Sequence, residues 1–153
     1  KEETEASKYL DVATRVALES SCLRDRCGSI IVKGNEIIGQ GFNSPPKNKK
    51  LEECLKDSLP DDFKSDKTCC IHAEQRAIID ALRKNPEKVA GSRIYFIRID
   101  KEGKQILARK PYCTICSKLA LDVAISEFVL MHEQGICVYD TEEYNEISFR
   151  RIS

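Results

Sequence analysis

The chain has 153 residues, of which 41% are hydrophobic and 33% charged, with 25 basic side chains against 25 acidic ones. That size and balance suit one ordinary globular domain, residues 1–153, with a core of its own. A net charge of zero excludes a chain-wide field for polyanions, and no apolar run approaches the ~18 residues of a membrane span, so neither nucleic acid nor membrane is the expected partner.

Residues 4–20 read as an amphipathic helix. Leu10, Ala13, Val16 and Ala17 recur at helical spacing, and Thr4 is a candidate N-cap. Ser29-Ile30-Ile31-Val32 is a β-branched run, Lys33-Gly34-Asn35 is turn chemistry, and Glu36 to Phe42 is the partner strand of a hairpin. Asn43-Ser44-Pro45-Pro46 ends it, because proline cannot serve a central strand. Residues 47–68 carry mixed charges and Pro60. They read as a long loop with one short helical turn around Leu51–Leu55, and a connection of that length in a compact domain is often functional. Residues 71–84 form a second helix, with Ala77, Ile78, Ala81 and Leu82 on its inner face. Arg93–Ile99 alternates as a strand does. Ile94, Phe96 and Arg98 share one side, and Tyr95, Ile97 and Ile99 the other. After the turn 100–104, residues 106–108 can pair back. A helix over 114–124, a strand over 127–131 and short closing elements follow, with a capping pattern at Asp140 or Thr141 that suits a closing helix. This succession of helices and strands predicts a layered α/β domain.

Two short segments carry the chemistry. His72-Ala73-Glu74 and Cys113-Thr114-Ile115-Cys116 together offer one imidazole and two thiols, the three protein ligands of a catalytic zinc that keeps its fourth position for water. A CxxC pair at a helix start puts both sulfurs on one face, and the helix N-terminus favours thiolates. Two thiolates, a neutral imidazole and Zn²⁺ sum to zero charge, and zinc lowers the pKa of a bound water to about 7. Glu74 stands two residues from His72, a turn of roughly 200° in a regular helix. That separation suits a carboxylate facing water and substrate better than a fourth ligand. Competing readings are a redox CxxC pair, a structural zinc closed by Cys69 or Cys70, and Glu74 as a plain surface residue. Eight cysteines in core-forming segments argue against a disulfide framework and for metal ligands or small buried side chains. The opening Lys-Glu-Glu-Thr-Glu does not read as a signal peptide, and a cytoplasmic location is expected; the lack of an initiator Met leaves open a natural start upstream.

H-x-E followed by P-C-x-x-C is the signature of zinc deaminases acting on nucleobases. On these residues the chain resembles the cytidine deaminase superfamily, and within it the deoxycytidylate (dCMP) deaminase-like branch. Ser21 to Val32 resembles that branch's S-x-C-x-R-x-x-V-G-A-x-x-V, Gly39-Gln40-Gly41-Phe42-Asn43-Ser44-Pro45-Pro46 its x-x-G-Y-N-G-x-P, and Cys113 to Lys118 its C-x-x-C-A-K. The segments fall in the family order across most of residues 10–131. The resemblance implies a three-layer α/β/α sandwich around a mixed, about five-stranded sheet, with one Zn²⁺ per chain between two helix starts. It implies zinc ligation by His72, Cys113 and Cys116, proton transfer by Glu74, and a substrate grip by Asn43 and the backbone of Ala73. Arg24 or Arg26 is the candidate phosphate contact, against a plain loop charge. By analogy the protein is expected to be a homo-oligomer.

Three departures bear on the substrate. Tyr112 separates Pro111 from Cys113 and is a candidate to stack on a base. The stretch 100–110 looks like an added hairpin entering the site from the side. Arg76 stands where the branch has Asn. Cys54, Cys69 and Cys70 flank the long loop, where some relatives hold a second metal, but free or buried thiols are the simpler reading. The leading function is hydrolytic deamination of a cytosine nucleotide or nucleoside, dCMP to dUMP first. The alternatives are deamination of a free base such as guanine or another amino-heterocycle, deamination of bases in RNA or DNA, and an inactive zinc-binding regulatory module.

Overall fold

A computed structural model describes residues 2–22, 25–49, 52, 70–111 and 113–150. Arg24, Tyr112, Cys54, Cys69 and, apart from residue 52, the helical turn expected at 51–55 lie outside the described residues. The elements are α1 (Glu2–Ala17), β1 (Arg26–Lys33), β2 (Glu36–Phe42), α2 (Ala73–Lys84), β3 (Arg93–Ile99), β4 (Gln105–Ile106), α3 (Thr114–Asp122), β5 (Glu127–His132), β6 (Gly135–Asp140) and α4 (Thr141–Arg150). The sheet runs β2-β1-β3-β5-β6, and the two-residue β4 pairs onto β3 beside this path. The expected five strands are therefore joined by a sixth. β3 and β5 are parallel and the other pairs antiparallel, so the sheet is mixed.

Strand alternation sorts the core into two layers. Ile30 and Val32 of β1 and Tyr95, Ile97 and Ile99 of β3 pack against Tyr9, Leu10, Ala13 and Ala17 of α1. Ile31 and Ile94 point the other way, onto Ala77, Ile78 and Ala81 of α2, with Phe128, Leu130 and Tyr144 in the same cluster. Helices thus cover both faces, which is the expected α/β/α arrangement.

α1 starts two residues before Thr4, so Thr4 is an interior residue rather than a cap. The inner stripe of α2 is Ala73, Glu74, Ala77, Ile78 and Ala81, and Leu82 is 41% exposed. The stripe drifts because the first turn is itself buried.

The seat of α2 is set by two glycines of β2. A Cβ built on Gly39 would lie 2.6 Å from the Ala77 carbonyl oxygen, and one on Gly41 2.5 Å from the Ala77 nitrogen. No side chain fits between strand and helix there, so α2 rests on bare strand backbone. No helix among the described residues is long and apolar enough to cross a membrane.

Candidate functional site

The two motifs meet at helix starts. His72 is the N-cap of α2, extended at φ −68° and ψ 148°, and Cys113 is the N-cap of α3 at φ −83° and ψ 100°. The His72 backbone N–H donates to Gln75 Oε1 at 3.0 Å, which fixes the entry into α2. The His72 ring then presents Nδ1 3.2 Å from Cys116 Sγ and 3.3 Å from Cys113 Sγ, and the two sulfurs are 3.4 Å apart. A triangle with sides near 3.3 Å has its centre about 1.9 Å from each corner, just inside the ~2.0–2.3 Å of zinc bonds to nitrogen and sulfur. The three atoms can therefore converge on one ion. Their donor set, one imidazole and two thiols, is one that zinc prefers over harder cations. Three protein ligands leave a fourth position for a small molecule.

His72 lies outside the regular helix, so the 200° separation expected between it and Glu74 does not apply as drawn. Glu74 is nonetheless placed beside the ligands rather than among them. It sits in the first turn of α2 with 5% of its surface exposed, in hydrogen-bonding contact with the Cys116 thiol. Burial, reinforced by the neighbouring Cys113, raises its carboxyl to about 7, while His72 opposes the shift. A hydrogen bond from Cys116 holds the Cys113 thiol down at about 4, and the same bond with burial pushes Cys116 well up. Without a metal the two sulfurs thus share one proton, the role a cation takes over when it binds.

The metal trio borders, through Cys113, a cavity of about 390 Å³. Glu74 and Cys113 form one end. Phe96, Leu130 and Tyr144 supply apolar wall, and Asp25, Arg98, Arg109 and Lys110 the charged rim. Arg98 enters because β1 and β3 pair Cys27 opposite Arg98, and both side chains fall on the α2 face of the sheet. Burial and the Glu74 carboxylate push the Cys27 thiol up, so it stays protonated there. Ala108, Arg109 and Lys110 come from the stretch after β4, so of the suspected hairpin segment 100–110 it is the tail beyond the paired strands that lines the cavity. Tyr144 comes from α4, stacked on Phe128 with ring centroids 3.9 Å apart. The closing helix therefore also lines the pocket.

Two expected substrate contacts sit elsewhere. Arg26 is one residue out of phase with Cys27 and pairs opposite Ile99, so it leaves the sheet on the α1 face. Its guanidinium donates to the carbonyls of Asp100 at 2.9 Å and Lys101 at 3.3 Å, holding the β3–β4 turn. Asn43 is buried. Its Oδ1 accepts from Ser20 Oγ at 2.6 Å and from the Cys27 N–H at 2.7 Å, and its Nδ2 donates to the Asp25 carbonyl at 2.6 Å. It ties the α1–β1 connection to the end of β2 and orients Asp25 and Cys27 of the rim. Ala73 is buried at the first position of α2, between His72 and Glu74. Arg76 covers Phe42 and donates to the Pro45 carbonyl at 2.9 Å, so it braces the loop after β2.

Sequence reasoning missed Arg98, Arg109, Lys110, Asp25 and Tyr144. The signal for Arg98 was present: a guanidinium in phase with Ile94 and Phe96 has no place on a buried face unless that face opens onto a cavity. Arg109-Lys110 directly ahead of Pro111 was a second, weaker one.

Similarity to known proteins agrees with this geometry. Residues 3–132 match the family described as the cytidine and deoxycytidylate deaminase zinc-binding region. A deoxycytidylate deaminase of Schizosaccharomyces pombe is 29% identical over 128 residues, 79% of this chain but 33% of that protein, so the chain spans about a third of its relative's length. A deoxycytidylate deaminase of Mycobacterium phage D29 is 29% identical over 133 residues, covering 82% of this chain and 92% of the phage protein. Among solved structures, the dCMP deaminase of cyanophage S-TIM5 in complex with dCMP and dUMP superposes with a TM-score of 0.58 at 23% identity, covering 80% of this chain and 76% of that one, a likeness of fold. With the family's match running from α1 through β5 and enclosing every residue of the metal trio, this chain belongs to the cytidine and deoxycytidylate deaminase zinc-binding family.

Proposed function

We propose that the chain is a zinc-dependent deaminase of a cytosine nucleotide, with dCMP converted to dUMP and ammonia. The observation that carries the reading is one cavity with Glu74 and, from the metal trio, Cys113 at one end and three cations on its rim. A pyrimidine nucleotide has matching ends, a ring amine to be displaced and a phosphate to be held. Relatives named deoxycytidylate deaminase support it.

His72, Cys113 and Cys116 would hold the ion. Zinc, when bound, supplies Lewis acidity and a water more acidic than bulk water. The remaining work falls to the chain. Phe96, Leu130 and Tyr144 give the base an apolar slot and exclude bulk water. The backbone of Ala73, between a metal ligand and the acid, can orient the base. Glu74 takes a proton from the attacking water and passes it to the ring nitrogen. It then takes the second proton from the hydroxyl now on the ring carbon and delivers it to the departing amine, so that water replaces ammonia at that carbon. Burial among apolar neighbours favours the protonated form of the Glu74 carboxyl, which eases the proton-carrying half of that cycle. Arg98, Arg109 and Lys110 would meet the phosphate, the role expected of Arg24 or Arg26; guanidinium pairs bind phosphate oxygens in a fork. This rim favours a nucleotide over a free base.

The test is ammonia release by zinc-loaded protein from dCMP, CMP, deoxycytidine, cytosine, guanine and adenosine, with Glu74→Ala as control. Release from dCMP that vanishes in the variant upholds the reading. Turnover of unphosphorylated compounds alone keeps the chemistry and removes the nucleotide.

A further inference from the structure

The second histidine of the chain lies outside the metal centre, directly behind Ala108 of the cavity wall. His132 ends β5 and is 7% exposed. Its Nδ1 is 2.9 Å from the carbonyl oxygen of Ala108, and its Nε2 is 2.7 Å from the Tyr139 hydroxyl. A carbonyl only accepts, so Nδ1 carries the proton, and in the neutral ring Nε2 accepts from Tyr139. The Ala108 N–H in turn donates to the Met131 carbonyl at 2.7 Å. Both backbone groups of Ala108 are thus bonded to the last residues of β5.

β4 stops at Ile106, so residues 107–110 follow no strand ladder. Arg109 and Lys110, which that stretch delivers to the cavity rim, are exposed side chains on a loop. Such groups hold an anion well only if their backbone is fixed, because freezing a wandering loop costs affinity on binding. The His132 ring also packs edge-on against Tyr139, with centroids 5.8 Å apart, and Tyr139 packs edge-on against Tyr144 of the wall at 5.8 Å. One imidazole therefore joins the cation-bearing loop to the aromatic wall. A phenyl ring would fill the same space without either bond.

We infer that His132 is a positioning residue, whose Nδ1 bond to Ala108 sets where Arg109 and Lys110 meet the substrate's phosphate. The inference rests on the nucleotide reading above and deepens it.

The test is binding of dUMP and deoxyuridine to the zinc-loaded protein by titration calorimetry, since neither ligand turns over. His132→Phe is expected to weaken dUMP about tenfold and to leave deoxyuridine within about twofold, a selective loss corresponding to about 1.4 kcal/mol. His132→Asn, whose amide can reach Ala108 from the position of Nδ1, is expected to recover most of the dUMP affinity. His132→Gln, whose amide sits nearer Nε2, is expected to behave like the Phe variant and stands in for it if that protein does not fold. Equal weakening of both ligands would make His132 merely structural and overturn the inference, as would Asn and Gln variants that bind alike. Arg109→Ala separates the two ideas. If it weakens dUMP selectively while the Phe and Gln variants do not, the inference falls alone. If it leaves the ratio of the two affinities unchanged, the nucleotide reading falls and takes the inference with it.

Discussion

The two ends of the cavity are made in opposite ways. At the metal end, His72, Glu74, Cys113 and Cys116 are held by helix starts: their backbones are N-caps and first turns, and the three ligand atoms lie 3.2–3.4 Å apart. At the cation end, Arg98 rides the tail of a strand and Arg109 and Lys110 a loop stitched to β5 through Ala108. Within each half of the first end the geometry is set locally, by capping and by residue spacing, and the packing of α2 and α3 brings the two halves together. The second end depends on the registration of β1, β3 and β5, so it exists only once the sheet has formed. Chemistry that must tolerate no error sits on the local, stiff end. Recognition, where a longer or shorter side chain changes affinity by degrees, sits on the assembled one.

That contrast can be broken most sharply at Glu74. Glu74→Gln keeps the shape and removes the proton carrier, so kcat is expected to fall by about 10²–10⁴ with KM moving little. Steady-state kinetics on dCMP check it, and a rise in KM with kcat intact would erase the division of labour. At the other end, Arg98→Ala or Arg109→Ala is expected to raise KM for dCMP about tenfold or more while leaving deoxycytidine unaffected, because one charge-assisted contact is lost. A variant that also cost a hundredfold in kcat would show that the rim takes part in the transition state.

The stiffness of the metal end can be probed without substrate. Gly41→Ala drives a methyl group into the backbone of α2, and overpacking of this kind costs about 1–3 kcal/mol. Urea unfolding checks the loss, and zinc binding weakened beyond what lost stability explains would show that the seat of α2 also sets the ligand geometry.

The smallest effect expected is a pH slope in the metal-free protein. Folded Cys113 titrates at about 4 against an ordinary 9.0, so between those values the unfolded chain binds a proton that the folded one does not, and stability rises with pH. Glu74, raised from 4.5 to about 7, acts oppositely up to about pH 7, and Cys116 opposes above 9. The window left to Cys113 is therefore pH 7 to 9. Urea midpoints should climb across it in wild type and flatten in Cys113→Ser.

How much of this was legible in the sequence follows the same division. The H-A-E and C-T-I-C spacings named the metal end outright, because capping and ligand geometry act within a few residues. Alternation in 93–99 sorted the faces of β3 correctly, since period two is a property of the strand itself. What escaped depends on partners far along the chain. Arg26 looked like a phosphate ligand until pairing with Ile99 turned it to the far face, and Leu82 looked inward until the buried first turn of α2 rotated the stripe. The rim cations come from two separate stretches, and no local pattern says that residues 98 and 109–110 will share a wall.

The bare seat under α2 has a mechanical consequence. Ordinary layers of a protein are spaced by side chains, which shift rotamers and yield when squeezed or warmed. Where Gly39 and Gly41 face α2 there is no such cushion, only strand backbone against helix backbone and the Cβ atoms of Arg76 and Ala81. The height of α2 above the sheet is then a hard-contact distance, the last to change under pressure or heat. His72 and Glu74 at its first turn inherit that fixed height, so the protein holds its metal end as an anvil and leaves adaptation to the loop opposite.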